Sequence, residues 1–74
     1  MKYLQSKSGI AGGELTIKDT RIRIAHVLSN LANGITIEEM LTGWPWLSKE
    51  ALSGAIHEAA KQLEARPAQP QAHA

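Results

Sequence analysis

The hydrophobic period changes at Ile24, and that change decides what this chain folds into. Before it, Glu14-Leu15-Thr16-Ile17 and Thr20-Arg21-Ile22-Arg23-Ile24 alternate polar with apolar, the period-two pattern of strands with one buried face. After it, Ile24, Val27, Leu28 and Leu31 take the i, i+3, i+4, i+7 spacing of an amphipathic helix. Lys18-Asp19 separates the two alternating runs, so they read as a hairpin around a two-residue turn. A lone hairpin is unstable in water, so it must pack on helices or on a partner's strand. Upstream, Tyr3 and Leu4 can form a short strand before the breakers Ser8, Gly9, Gly12 and Gly13.

Two more helices follow, each with its own start signal. Asn33-Gly34 ends the first helix, with Gly34 suited to the left-handed position after the cap. Thr36-Ile37-Glu38-Glu39 is a capping box: the Thr36 hydroxyl accepts from the Glu39 amide and the Glu39 carboxylate reaches back. Ile37, Met40 and Leu41 give the second helix its apolar side, and Thr42-Gly43 stops it. Trp44-Pro45-Trp46-Leu47 makes a rigid hydrophobic corner. Ser48 then caps the longest helix, whose inward face is Leu52, Ala55, Ile56, Ala59 and Leu63. Beyond Glu64 two prolines and little apolar bulk predict a disordered tail over residues 65–74. The expectation is a mainly α, small α+β chain. Residues 1–64 form an N-terminal β-hairpin followed by a three-helix, helix-turn-helix-like core.

At 74 residues the chain buries a small core, and domains of this size usually need a disulfide, a metal or a second subunit. With no cysteine, disulfides and thiolate metal sites are excluded, and His26, His57 and His73 lack the short spacing of a zinc site. A homodimer is therefore the expected working state. The absence of cysteine, of a signal-peptide core and of any ~20-residue apolar run points to the cytoplasm and away from membranes.

The formal charge of +1 conceals an asymmetry. Residues 1–26 hold Lys2, Lys7, Lys18, Arg21 and Arg23 against Glu14 and Asp19. Residues 36–64 hold Lys49 and Lys61 against five glutamates, Glu38, Glu39, Glu50, Glu58 and Glu64. In a helix-turn-helix the second helix enters the major groove, which here would present Lys49, Ser53 and His57. That helix is a poor source of the cations that dominate DNA affinity, so Lys18, Thr20, Arg21 and Arg23 join it as candidate DNA contacts. Against this stands a plain three-helix packing unit, with the arginines on a solvated face. Of Trp44 and Trp46, which flank Pro45, one is expected to close the core. The other would be exposed as a partner-binding residue; both lying in the core is an equal alternative. No acid, base or nucleophile set, phosphate loop or cofactor motif is visible, so no enzyme is expected.

These residues resemble a family of short prokaryotic proteins of unknown function, over about residues 12–63. Leu15–Ile24 is similar to its I-x-G-T-R-I-x-V pattern, Gly34–Leu41 to G-x-[ST]-x-E-E-I-L, and Trp44–Ser48 to Y-P-x-L-[ST]. Thr20, Arg21 and Ile22 match the T-R-I signature; Pro45 and Leu47 match the P-x-L corner. Asp19 stands where glycine is usual, and Trp44 where tyrosine is usual. The resemblance implies a helix-turn-helix fold and, for some members, a VapB-type antitoxin encoded beside a PIN-like nuclease toxin. It thus implies a DNA operator and a cognate toxin as partners. The expected tail is short, so toxin contact would fall to the hairpin or the tryptophan corner. The rival expectation is a protein–protein adaptor or assembly module without a DNA role.

Overall fold

The computed structural model describes residues 2–6 and 14–64. The expected tail and the glycine-rich stretch 7–13 lie outside the described residues. The order is β1 (Leu4–Gln5), β2 (Thr16–Ile17), α1 (Ile24–Ala32), α2 (Ile37–Gly43) and α3 (Lys49–Glu64). No helix among them is long and apolar enough to cross a membrane.

The helix boundaries follow from local chemistry. Gly34 has φ +85°, and the Gly34 and Ile35 amides donate to the carbonyls of Leu31 and Asn30, the paired bonds of a Schellman motif. The Thr36–Glu39 box is closed in both directions, with the Thr36 amide donating to Glu39 Oε1 at 2.8 Å and the Glu39 amide to Thr36 Oγ1 at 3.1 Å. These bonds hold the Glu39 carboxyl below the ordinary carboxylate value. Ser48 Oγ accepts from the Ala51 amide at 3.0 Å and starts α3. Between α2 and α3 the Leu47 amide donates to the Trp44 carbonyl at 2.9 Å, a turn for which Pro45 presets the backbone.

The sheet differs from the simple hairpin. Its regular pairing joins β1 to β2 antiparallel, Leu4 opposite Ile17 and Gln5 opposite Thr16. The arm after the turn contributes one bridge, Thr16 to Arg23. Two flanking backbone bonds, Ile17 N–H to Ile22 O and Ile24 N–H to Leu15 O, tie that arm on. It stays irregular because Thr20 folds back locally: its hydroxyl donates to the Ile17 carbonyl at 2.8 Å and accepts from the Ile22 amide at 3.0 Å. β2 is thereby flanked on both edges. Thr16, which alternation places outward, is fully buried, and its hydroxyl accepts from Gln5 Nε2 at 3.2 Å.

The turn turns on Asp19, the one described non-glycine residue with positive φ, at +63°. Glycine adopts this conformation freely, whereas an L side chain meets the following carbonyl; aspartate is among the better tolerated. The chain keeps the turn that glycine would make and carries its steric cost.

The core is Leu4, Ile17, Ile24, Val27, Met40, Leu52, Ala55 and Ala59. α3 touches every other element of it, packing on α1, α2 and both strands. The N-terminal segment is fastened to α3 by polar bonds as well. Glu58 accepts from the Lys2, Tyr3 and Leu4 amides at 2.9–3.1 Å, and Tyr3 Oη donates to Glu50 Oε2 at 2.6 Å. The Tyr3 ring lies over Gly54, one turn from each glutamate; a Cβ built at Gly54 would clash with three ring carbons of Tyr3. Desolvation raises the Glu58 pKa, but the three amide bonds together outweigh it and leave the carboxyl below its ordinary value.

Three outcomes follow for stability. Asp19→Gly should stabilise the fold by about 0.5 kcal/mol or more in urea unfolding, and Asp19→Val should cost about 1–2 kcal/mol. Gly54→Ala should be destabilising even though alanine gains ~1 kcal/mol in helix propensity, because overpacking against Tyr3 costs ~1–3 kcal/mol. Adding Tyr3→Ala should then show positive coupling in a double-mutant cycle, with Gly54→Ala becoming neutral or stabilising. Glu58 has a folded pKa lowered from 4.5, so its contribution is complete above that value and disappears as pH falls through the folded one. Thermal melts should show Glu58→Gln less stable than wild type at neutral pH, with the gap closing in acid.

Candidate functional site

The Asp19 turn and the start of α1 set the site. After the turn the arm is irregular up to Arg23, whose backbone is extended; Arg21 and Arg23 are exposed, while Ile22 between them is half-buried against the core. At Arg23 the chain enters α1, and Arg23 is the N-cap without a side-chain cap bond. His26 follows on the first turn. From the far side comes Trp44, placed by the end of α2, where its amide donates to the Met40 and Leu41 carbonyls. Arg21, Ile22, Arg23, His26 and Trp44 surround an open cleft of about 300 Å³.

Among the described residues no carboxylate lines this cleft. Arg21 is exposed and, among the described residues, has no acidic partner. Arg23 Nη1 meets Glu14 Oε2 at 3.4 Å, with both side chains more than half exposed, so water and salt screen the pair. His26 and Trp44 meet edge to face, with centroids 6.2 Å apart and planes at 62°. The arrangement offers two guanidinium groups beside an aromatic wall.

The remaining candidate residues fall elsewhere. Lys18 is exposed on the turn, its amide donating to the Tyr3 carbonyl at 2.9 Å. Thr20 spends its hydroxyl on the turn itself. Lys49, Ser53 and His57 share a stripe of α3 at four-residue spacing. Lys49 Nζ is 2.9 Å from Glu38 Oε2, a bond that lowers the Glu38 pKa, and Ser53 is half-buried. His57 is exposed. Glu50 and Glu58 belong to a different face of α3, the one that receives Tyr3.

The tryptophan corner divides as one of the two expectations had it. Trp44 is half-buried against the core, and Trp46 is 63% exposed. His26 has no place among the sequence-derived contacts. The available signal was its position three residues after Arg23, which brings both to the start of α1; its meeting with Trp44 depends on tertiary packing. Among the described residues no group of three or more His, Asp or Glu side chains is placed to hold a metal ion.

No curated protein matches the chain. A crystal structure of a DUF433 member protein from Anabaena variabilis is similar, with a TM-score of 0.75 and 31% identity over 84% of this chain. The chain spans 61% of the length of that relative. A family model described as "Protein of unknown function (DUF433)" matches residues 5–59. With that match running from β1 into the last turns of α3, the chain belongs to the DUF433 family.

Proposed function

We propose that this protein is an antitoxin-like DNA-binding regulator, acting as a homodimer and holding a PIN-like nuclease toxin as its protein partner. The observation that carries the DNA part is Arg21, exposed and without an acidic partner among the described residues at the rim of a cleft with no carboxylate. Phosphate contacts by arginine supply most of the salt-dependent affinity of such proteins. Arg23 joins Arg21, because an exposed pair with Glu14 exchanges cheaply for a phosphate. Lys18 adds charge from the turn. α3 contributes less than a recognition helix usually does, since Lys49 is engaged by Glu38. The toxin part rests on the resemblance of the T-R-I and P-x-L motifs, and the exposed Trp46 is the contact it uses.

That exposed tryptophan also supports the second reading, an adaptor that binds a protein and no DNA. One pair of measurements separates them. Mobility shifts with duplex from the gene's own promoter should show binding that weakens steeply with salt. Arg21→Ala with Arg23→Ala should lower the slope of log K against log salt by roughly 3–4, about 0.9 for each of four arginine contacts in a dimer. Copurification with the neighbouring gene's product should be lost in Trp46→Ala and kept in the double arginine variant. No duplex binding at low salt, with that complex intact, overturns the regulator in favour of the adaptor.

A further inference from the structure

We infer that the Arg21–Trp44 cleft is a binding site for one unpaired nucleotide of a single strand, its base against the Trp44–His26 wall and its phosphate between Arg21 and Arg23. This deepens the regulator reading and rests on its assignment of Arg21 and Arg23 to phosphate.

A duplex needs no such recess. Its base faces are covered by their neighbours, and it offers a protein only phosphates and the edges of bases in the grooves. A row of exposed cations suffices for the first, and a protruding helix or strand for the second. Here the two arginines stand instead around a concavity with an indole and an imidazole on its wall. Aromatic rings beside a cationic track are the means by which proteins hold single strands, because every base has a π-face once it is unstacked. The size agrees: about 300 Å³ lies at the low end of the roughly 300–1,000 Å³ range of ligand clefts, which suits one nucleotide unit. The rings also occupy the right places. Trp44 is fixed by core packing and by its backbone bonds to α2, so it brings a rigid surface. His26 is exposed on α1 and stands at 62° to Trp44, so the two rings wall the cleft from different directions. Arg21, with no acidic partner among the described residues, needs no bond broken to receive the phosphate; Arg23 gives up only the exposed contact with Glu14.

The test uses the full chain and a fluorescently labelled octathymidylate, with an octamer of abasic sugar-phosphates as the charge-matched control. Anisotropy should show the thymidylate binding about tenfold or more tightly than the abasic strand. The Trp44 indole N–H signal, assigned with Trp44→Phe, should shift on binding. Arg21→Ala and His26→Ala change exposed side chains, so circular dichroism should match wild type. Each should weaken thymidylate binding, Arg21→Ala about tenfold or more. Equal affinity for the abasic strand, an unmoved Trp44 signal or undiminished binding by Arg21→Ala overturns the inference. Promoter-duplex binding without thymidylate binding also overturns it and leaves the regulator reading standing. Thymidylate binding without duplex binding supports the site and removes the duplex operator.

Discussion

The fold depends on the N-terminal residues lying down on α3. A domain this small has few apolar side chains to spend, and two of its best buried, Leu4 and Ile17, face each other across the β1–β2 pairing. Leu4 reaches the core only if the backbone before it finds partners, since amides buried without bonds would cost about what the leucine gains. Glu58 supplies those partners, and Gly54 leaves room for the Tyr3 ring between Glu50 and Glu58. One helix face, at positions 50, 54 and 58, thus works as a receptor for a strand. The same arrangement flanks β2, buries Thr16 and fixes the base of the Asp19 turn.

Seen from that clasp, the acidity of α3 changes meaning. Bonds from neutral donors do not cancel the charge of a carboxylate, but they give it a place in the fold. The structure gives both Glu50 and Glu58 to the N-terminal segment, where Glu58 accepts amides and Glu50 a phenol. Glu38 and Lys49 neutralise each other where α2 meets α3. The carboxylates are largely occupied with structure, while Arg21 and Arg23 after the turn are exposed and the Ile22 between them packs, half-buried, against the core. Segregation of charge thus follows from the fold's own needs.

What was legible in the sequence was local. Capping box, serine cap and left-handed glycine each rest on bonds within a few residues, and all three stand where their motifs place them. The helical periods gave α1, α2 and α3 nearly to the residue. The strand pairing was less readable, because a two-residue strand has too short a pattern to name its partner, and the Thr20 side-chain bonds compete with ladder formation. The clasp was not readable at all. Its bonds join residues 47–56 positions apart, and Gly54 inside a helix carries no mark of the ring above it. In the site, alternation placed Arg21 and Arg23 on one side, but only packing brings Trp44 and His26 to them.

Asp19 joins the two scales. Its φ of +63° shows that the turn's geometry is imposed from outside the residue, since free choice would favour glycine. What imposes it is the closure around β2: Ile17 must meet Leu4 on one edge and the chain must return to bridge Thr16 with Arg23 on the other. The tight reversal at Lys18-Asp19 is the way to satisfy both within the available residues. A strained turn so determined holds the following segment in a single direction, and that segment carries Arg21 and Arg23. The placement of the two arginines is therefore inherited from the N-terminal clasp, by way of β2 and the turn, while α1 and the end of α2 bring His26 and Trp44 to meet them.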